Sequence, residues 1–488
     1  MNSMLRIGMP SRLWSRLGLV ATLLCLCVDS YAETPLEAGF ARTDITPPVG
    51  FRIAGNYFES FSQAVDEPLH ARVMYLAQGN TKTLTISLDV CSIGRVVSDP
   101  IRHAIQERTG VPFDHIIVSA THNHAGPEYY GTLRDYLHQK ALRENGGVDP
   151  AEPIDYAELL VRRLTQASKQ AIASAVTAVA SCGETTVTGI AFNRRFHMKD
   201  GTVRMNPGYQ NPNIVRVAGP VDPRLPVLLL RRASDRHPIG LYTSFAMHTA
   251  TYGDLTRFGA DFPGVLDRRM QAEFGDDFVA LFGEGTAGDV NHLDFLGRKQ
   301  GPDRWKVYQE IGNRLSDAII ELIPSLSQID QPSLKTGRSI TPVPLQSVDT
   351  AKLAEAPEVV FAPRGEKSFL EKVAAWKQMN TDRLRRRDGE RLQVELQCIT
   401  IGDQFAIVSL PHEVFVELGM MIRSGSPYPV TAVISLAQDL DFYVPTRKAF
   451  AEGSYEVTTS SIQPGGGEQI ADAAIELLRS VAKAEGQR

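Results

Sequence analysis

Cysteine and tryptophan are scarce in the 488-residue sequence, which holds 5 cysteines and 3 tryptophans. Cys25 and Cys27 lie in an apolar segment near the N-terminus, so Cys91, Cys182 and Cys398 are left for the rest of the chain. Three cysteines form at most one disulfide, which excludes a fold built on disulfides. Their spacing does not indicate whether any two of them pair.

A strong charge of one sign is also lacking. The formal net charge at pH 7 is −5, and residues 33–488 alone hold 48 basic and 55 acidic residues, a net charge of −7. This mild acidity argues against nucleic acid, and against an anionic membrane, as the principal partner. The glycine-rich "QPGGGEQ" (463–469) lacks the Lys-Ser/Thr pair of a phosphate-binding loop, so we interpret it as a flexible lead-in to a helix.

Long hydrophobic runs are confined to the N-terminus. "LGLVATLLCLCV" (17–28) is too short to span a bilayer; it follows three arginines and precedes "SYA" (30–32), a small-x-small cleavage signal. We predict a signal peptide over residues 1–32 and an exported chain, periplasmic or extracellular, over residues 33–488. An uncleaved membrane anchor is the alternative. No later stretch approaches the length of a transmembrane helix.

Strand-like and helix-like patterns alternate along the remaining chain, which has no internal repeats. Apolar runs predict buried strands over 71–77, 83–90, 115–120, 227–232, 239–247, 278–283, 405–410 and 431–436. Apolar residues at helical spacing predict helices over 99–110, 156–176, 304–323 and 468–484. The charged stretch 366–392 predicts a solvated helical excursion; anion binding by its basic run is the less favoured interpretation. The chain is therefore a mixed α and β (α+β) protein.

Ionisable side chains follow the ends of several predicted strands. His122 and His124 follow the run 115–120, His248 follows 239–247, and Glu413 follows 405–410. If these ends converge, imidazoles and a carboxylate meet in one pocket, and a divalent metal compensates such a buried group best. Two His and a Glu with an open position is the pattern of catalytic zinc. Taken singly, a His-x-His pair is often structural, and a Glu after a strand is usually a cap or surface ion pair.

One loop suggests a different metal chemistry. "GDVNHLD" (288–294) resembles the Asp/Asn/His loops of two-metal phosphoesterases. Such enzymes need further Asp-x-His and Gly-His-x-His elements, and the sequence has none. The two-metal interpretation is therefore not favoured.

Six motifs together resemble the neutral ceramidase family, and they occur in the same order. They are "AGFARTDITPPVG" (38–50), "DEPLHARVMYLA" (66–77), "SATHNHAGP" (119–127), "FAMH" (245–248), "LPHEVF" (410–415) and the pair Tyr443 and Tyr455. The resemblance extends over residues 33–488, although it is diffuse between the motifs. It implies one large catalytic domain of two packed β-sheets flanked by helices.

The resemblance also implies a single Zn²⁺ and a set of roles around it. The implied zinc ligands are His122, His248, Glu413 and Tyr443. The implied catalytic residues are His124 as a proton donor, Tyr455, and Arg194 near the substrate. The implied substrate is a small molecule or lipid with an N-acyl bond. Transient contact with a membrane surface is allowed, and no obligatory protein partner is evident.

The sequence departs from the family pattern at two places. "GDVNHL" puts Asn291 where the family has an active-site Ser, and His292 and Leu293 replace the next two residues. We predict that Asn291 contacts substrate and selects another head group; the alternative is a loop residue bonded to backbone. His292 is either an extra ligand, a residue that supports a ligand, or one that faces solvent. The family's C-terminal immunoglobulin-like domain is also expected to be missing.

These residues predict attack of a zinc-activated water on an amide carbonyl. Zinc and Tyr455 would stabilise the oxyanion, and His124 would protonate the amine, since an imidazole titrates near neutrality. Side chains alternate on a strand, so extended backbone through Asn123 would point His122 and His124 into the same pocket. Two alternatives stay open: a zinc hydrolase of esters or other amides, and a secreted binding protein without catalytic activity.

Overall fold

Strands and helices alternate along residues 34–55, 58–297, 306–363 and 365–483, the parts of the chain that the computed structural model describes. The predicted signal peptide, residues 1–32, lies outside the described residues. From Pro35 onward the chain clusters as one unit.

The strands are β1 (Glu37–Asp44), β2 (Ala64–Val65), β3 (His70–Gln78), β4 (Thr81–Leu88), β5 (Ile116–Ala120), β6 (Val176–Thr186), β7 (Phe192–Asn193), β8 (Arg195–Met198), β9 (Val203–Met205), β10 (Ile214–Val217), β11 (Arg224–Arg232), β12 (Pro238–Phe245), β13 (Arg257–Phe258), β14 (Val279–Glu284), β15 (Val290–Asn291), β16 (Ser327–Gln328), β17 (Leu334–Pro344), β18 (Arg391–Ile401), β19 (Phe405–Ser409), β20 (Glu413–Val414), β21 (Val430–Ile434) and β22 (Tyr443–Val444). The helices are α1 (Arg95–Thr109), α2 (Thr132–Glu144), α3 (Tyr156–Ala173), α4 (Asp261–Phe274), α5 (Val307–Leu322), α6 (Thr350–Val360), α7 (Phe369–Asp388), α8 (Val416–Gly425), α9 (Arg447–Glu452), α10 (Tyr455–Thr459) and α11 (Gly466–Lys483).

The larger sheet has nine strands. Eight of them follow the order β14-β12-β11-β6-β1-β3-β4-β5, and β16 also pairs with β6. The long strand β6 joins the two halves of this sheet, because Val176 and Thr177 pair with β1 and residues 178–186 pair with β11. The halves fold onto each other: the hydroxyl of Ser87 on β4 donates to the carbonyl of Phe282 on β14 at 2.5 Å.

The second sheet has four strands in the order β17-β18-β19-β21. Its apolar side chains share one buried cluster with both halves of the larger sheet, including Met74, Leu228, Ile407 and Ile434. Strands covered on both faces need apolar residues at consecutive positions, which explains why β11 carries an unbroken Val-Leu-Leu-Leu run.

Helices cover the outer faces of the two sheets. Helices α1 and α3 contribute Ile101 and Leu160 to a cluster with β3, β4 and β5, whereas α4 and α5 pack on β11, β12 and β14. Helices α8 and α11 cover the four-stranded sheet. The predicted fold class is confirmed: it is an α+β fold with two packed sheets flanked by helices.

Several local predictions are refined by the structure. The stretch 366–392 is helical over Phe369–Asp388, but only the first residues of α7 are largely solvated, and its later turns pack against the protein. Cys91, Cys182 and Cys398 are all buried and free, so the described residues form no disulfide. None of the described helices has both the length and the apolar character that membrane crossing requires.

Candidate metal centre

His122 lies two residues beyond the end of β5, in a left-handed backbone conformation with φ of 63°. This conformation differs from the extended geometry expected through Asn123, since it turns the chain immediately after the strand. The amide nitrogen of Asn123 then donates to the carbonyl of Val90 at 3.1 Å. A non-glycine residue rarely adopts positive φ, and where it does the site is often functional. The turn, rather than strand alternation, places the two imidazoles together.

The imidazoles of His122 and His248 are each held by one main-chain carbonyl. The Nδ1 of His122 lies 2.9 Å from the carbonyl oxygen of Cys91, and the Nδ1 of His248 lies 2.9 Å from that of Ala287. A carbonyl only accepts hydrogen bonds, so each Nδ1 carries the proton. Each Nε2 is therefore left with a lone pair, as a metal ligand requires.

Glu413 and Tyr443 are brought together by backbone pairing. They are direct partners in the short parallel ladder between β20 and β22, and the amide nitrogen of Glu413 donates to the carbonyl of Phe442 at 3.1 Å. Neighbouring strands lie about 4.8 Å apart, so paired residues present their side chains side by side. The ladder explains how residues 30 positions apart in the sequence reach one pocket.

The predicted ligand atoms converge on one point. The Nε2 atoms of His122 and His248 are 3.1 Å apart, and Oε2 of Glu413 lies 3.3 Å and 3.2 Å from them. The hydroxyl of Tyr443 lies 3.5 Å from Nε2 of His248. Tetrahedral zinc with bonds of about 2.0–2.1 Å has ligand atoms about 3.3–3.4 Å apart. The spacing of the His122, His248 and Glu413 atoms therefore fits a single zinc ion, and the Tyr443 hydroxyl lies next to one of them.

The centre also has the electrostatics of a cation site. Oε2 of Glu413 is buried and has no hydrogen-bond partner among the described residues, and it lies 3.3 Å and 3.2 Å from the Nε2 atoms of His122 and His248. Burial alone would lower the pKa of His122, but Glu284 and Glu413 outweigh it and raise that pKa well above 6.5. The carboxylates thus draw a positive charge into the cluster, and a divalent cation is the ion that best satisfies all three atoms.

Arg194 connects the ligands to Tyr455. Its Nη1 lies 3.2 Å from Nε2 of His248, and its Nε donates to Glu456 at 2.9 Å. Its guanidinium carbon lies 5.2 Å from the ring centroid of Tyr443 and 5.9 Å from that of Tyr455. The two tyrosine rings lie 5.4 Å apart. The structure therefore brings Arg194 and both tyrosines to the edge of the metal cluster.

His124 lies beside the cluster without belonging to its ligand set. Its Nε2 is 3.3 Å from Nε2 of His122, but its ring centroid is 5.8 Å from that of His248, compared with 4.5 Å between His122 and His248. Burial, together with the charges of His122 and His248, lowers the pKa of His124 well below 6.5. The role of His124 as a proton donor stays a prediction.

A cavity of about 170 Å³ opens over the centre. Its wall includes His122, His124, Glu413, Tyr443 and Tyr455. Helix α7 contributes Trp376, Asn380 and Arg383 to the same wall, so the predicted excursion forms part of the cavity.

Asn291 lies on β15, and its side-chain amide is already bonded. Nδ2 donates to Oδ1 of Asn206 at 3.1 Å, and Oδ1 accepts from the amide nitrogen of Leu293 at 2.9 Å. These bonds match the alternative of a loop residue bonded to backbone, and substrate contact by Asn291 stays a prediction. Burial lowers the pKa of His292 to about 4, and its Nδ1 has no hydrogen-bond partner among the described residues.

Two acidic residues near the centre were not predicted from the sequence. Glu284, the last residue of β14, is buried with Oε1 4.0 Å from Nδ1 of His248, and burial raises its pKa well above 4.5. Glu128 lines the cavity. The signal for Glu284 was its position at a strand end, and the signal for Glu128 was its place directly after the His-x-His motif.

Comparisons with known proteins support the fold. No family model matches the sequence, and no curated protein matches it. The crystal structure of neutral ceramidase from Pseudomonas aeruginosa is similar, with a TM-score of 0.69 and 16% identity over 93% of this chain and 75% of that chain. A ceramidase complexed with C2 gives the same TM-score and identity, over 93% of this chain and 76% of that chain. The chain therefore has a neutral-ceramidase-like fold.

Proposed function

We propose that the protein is an exported zinc-dependent hydrolase that cleaves an N-acyl amide bond. The observation that carries the proposal is the convergence of His122, His248 and Glu413, whose ligand atoms all lie within 4.8 Å of one another. The likeness to neutral ceramidases is consistent with this chemistry, although at 16% identity it concerns the fold alone.

The metal would be held by His122, His248 and Glu413, with Tyr443 as the fourth side chain. When bound, Zn²⁺ supplies a Lewis acid that lowers the pKa of water from near 16 to about 7. The carbonyl groups of Cys91 and Ala287 fix the imidazole tautomers that this role needs.

His124 moves the proton in the proposed reaction. Amide hydrolysis forms a bond between a water oxygen and the carbonyl carbon and breaks the carbon–nitrogen bond, so one proton must pass from water to the leaving nitrogen. A neutral imidazole takes that proton first and then donates it. The place of His124 in the cavity wall puts its ring within reach of substrate.

Tyr455 and Arg194 are proposed to stabilise the negative charge that develops on the carbonyl oxygen. Tyr455 lines the cavity beside Tyr443, and Arg194 lies within 5.9 Å of both rings while Glu456 holds its Nε. A well-aimed donor at this position is worth about 3–4 kcal/mol of transition-state stabilisation. Buried between aromatic rings, the guanidinium keeps its charge close to the reacting atoms.

The substrate is proposed to be amphiphilic, with an acyl chain that extends out of the cavity. The cavity over the metal centre would hold the amide and the head group. Phe369 and Leu370 are 47% and 50% exposed at the start of α7, and the ring of Phe369 lies 5.3 Å from that of Tyr455. These side chains offer an apolar path for the chain and a transient contact with a lipid surface.

Glu413→Ala tests the metal centre and the reaction on the same preparation. We expect zinc content to fall from about one ion per chain to near zero, and turnover of an N-acyl amide to be lost with the fold intact by circular dichroism. Glu417→Ala is the matched control, because Glu417 on α8 pairs with Lys448 rather than with the cluster. Zinc retained at one equivalent in Glu413→Ala would remove Glu413 from the ligand set.

A substrate panel separates amide cleavage from the neighbouring chemistries. Zinc-loaded enzyme should hydrolyse N-acyl amides faster than acyl esters when each rate is divided by its uncatalysed rate. Hydrolysis of esters alone would favour an esterase. A protein that takes up zinc but hydrolyses neither would favour a binding role.

A further inference from the structure

Glu128 places a carboxyl group in the cavity wall without a partner. Its amide nitrogen donates to the carbonyl of Arg52 at 3.0 Å, which fixes its backbone. Among the residues that the structure describes, no hydrogen bond or ion pair reaches its carboxyl group. Glu128 is half-buried in the cavity wall, so its carboxyl group is open to a hydrogen-bond donor carried by a ligand.

Arg52, whose positive charge acts on Glu128, is already bonded to other acids. The guanidinium of Arg52 donates to Glu59 at 2.7 Å, to Asp149 at 2.7 Å and to Glu152 at 3.0 Å. Three carboxylates thus share this one guanidinium before Glu128 is counted.

Two side chains of helix α2 also pair with the acidic residues that surround Arg52. Arg134 donates to Glu152, and Nδ1 of His138 lies 2.8 Å from Asp149. Because these acids are satisfied by protein donors, the group does not need a metal ion. Four carboxylates face two arginines, so the surroundings of Glu128 remain short of positive charge.

The other carboxylates of the cavity wall have cationic partners. Asp441 pairs with Arg383, and Glu413 belongs to the proposed metal cluster. Among the described residues that line the cavity, Glu128 therefore has the carboxyl group that is left to bind a cation on a ligand.

We propose that Glu128 binds an ammonium group on the amine half of the substrate, so that the preferred substrate is an N-acyl diamine. This proposal rests on the proposed function, because it names the substrate class of the same site. A positively charged group within hydrogen-bond distance of Glu128 satisfies the free carboxyl and offsets the excess of acid around Arg52. The acyl chain then extends toward Phe369, on the apolar side of the mouth.

The protonation of Glu128 is consistent with a cation site. Burial raises its pKa to about 8, with smaller contributions from Glu152 and Glu59 and against the opposing effect of Arg52. Without a ligand, a proton therefore occupies the carboxyl group, and the cationic group of a bound ligand would replace that proton.

Three amides of equal chain length test the proposal: N-octanoyl putrescine, which ends in an ammonium group, N-octanoyl butylamine, which ends in a methyl group, and N-octanoyl γ-aminobutyrate, which ends in a carboxylate. We expect kcat/KM of the zinc-loaded enzyme to favour the putrescine amide over the butylamine amide by about 10- to 100-fold, the range for a hydrogen bond to a charged group. Glu128→Gln should reduce this ratio to about two. Glu144→Gln, at an exposed position at the end of α2, is the control and should keep the ratio.

Binding of the same three compounds is measured by calorimetry, which tests the site independently of turnover. Tighter binding of the putrescine amide that is lost in Glu128→Gln supports the proposal. Equal binding of the ammonium and methyl compounds by the wild-type protein overturns it, as does a preference that survives Glu128→Gln. Selective binding without hydrolysis of any of the three would count against the proposed function and leave the Glu128 site supported.

Discussion

At the scale of single residues, the left-handed backbone of His122 determines where its ring can go. With φ of 63°, the chain leaves β5, turns, and places Nδ1 against the carbonyl of Cys91. Such a conformation costs of order 1 kcal/mol or more for a non-glycine residue and persists only where surrounding contacts impose it. Here the amide nitrogens of Thr121 and Asn123 donate hydrogen bonds to main-chain carbonyls at the end of β4 and in the loop that follows it. The orientation of the first imidazole is thus set by main chain.

Gly55→Ala tests the role of His124 without touching the ring. A Cβ at Gly55 would lie 2.3 Å from Nδ1 of His124, so the imidazole must move. We expect turnover to fall by about 10²-fold, the lower range for losing a general acid–base group, while zinc content stays at one equivalent. The measurement is kcat on an N-acyl amide together with metal analysis.

Gly50→Ala is the control for that experiment. Gly50 has nearly the same φ, 95° against 92°, but a Cβ there meets nothing within 4 Å. It therefore carries the same backbone strain without displacing His124. Equal losses in the two variants, or full turnover in Gly55→Ala, would contradict the role given to His124.

The sequence was informative about which residues form the site and much less about how they meet. Imidazoles and a carboxylate after strand ends predicted His122, His248 and Glu413, and their atoms do converge. The carbonyls of Cys91 and Ala287 could not be predicted, because every residue has a carbonyl and no side-chain pattern marks it.

At the scale of elements, a buried ion pair joins α1 to the four-stranded sheet. Arg102 is fully buried, and its Nη2 donates to Oε1 of Glu395 on β18 at 2.7 Å, while Arg338 on β17 donates to the same oxygen at 2.9 Å. Burial alone would raise the pKa of Glu395, but Arg338 and Arg102 outweigh it and lower the pKa below 4.5. The pair fixes helix α1 against β17 and β18.

Glu395→Gln should destabilise the protein by about 3 kcal/mol at pH 7, because it leaves the buried Arg102 guanidinium with only the more distant carboxylate of Asp99, at 3.5 Å. A lowered folded-state pKa adds stability above the unfolded value of about 4.5, and that stability is lost as pH falls through the folded value. The difference between wild type and variant should therefore narrow below pH of about 4.5. Urea unfolding at several pH values measures it.

Glu390→Gln is the control for the ion pair. Glu390 is exposed and pairs with Arg385 at the protein surface, so this variant should change stability by less than about 1 kcal/mol at every pH. A difference for Glu395→Gln that stays constant from pH 7 to pH 3 would contradict the ionisation assigned to Glu395.

The elements themselves were predicted unevenly. All eight predicted strands are present in the structure, because strands covered on both faces carry unbroken apolar runs, as β11 does. The edge strand β17 was not predicted, because most of its residues are partly exposed. It also contains Pro342 and Pro344, which an edge strand tolerates but which in a sequence usually indicate a loop. The helix predicted over 156–176 ends at Ala173, because the chain soon enters strand β6, which begins at Val176.

At the scale of the whole molecule, the centre joins segments that lie far apart in the chain. The proposed ligands follow β5, β12 and β19, which belong to two different sheets, and His122 and Glu413 are 291 positions apart. A metal bound there links these segments only in the folded state.

Removal of zinc should therefore lower the stability of the entire chain. A ligand bound only by the native state adds about 4 kcal/mol at a thousand times its dissociation constant, so chelation should lower the melting temperature and added zinc should restore it. Thermal unfolding with and without chelator measures the effect. In Glu413→Ala, chelator should change nothing; an equal shift in that variant would place the stabilising metal elsewhere.

Much of the positioning at this centre comes from groups that all amino acids possess. Two carbonyls orient the imidazoles, and a two-residue ladder sets Glu413 beside Tyr443. Substitutions at Cys91, Ala287 or Val414 can therefore accumulate while these main-chain groups keep the ligand side chains in place. Two chains can in this way keep a similar fold, at a TM-score of 0.69, while only 16% of their aligned residues are identical.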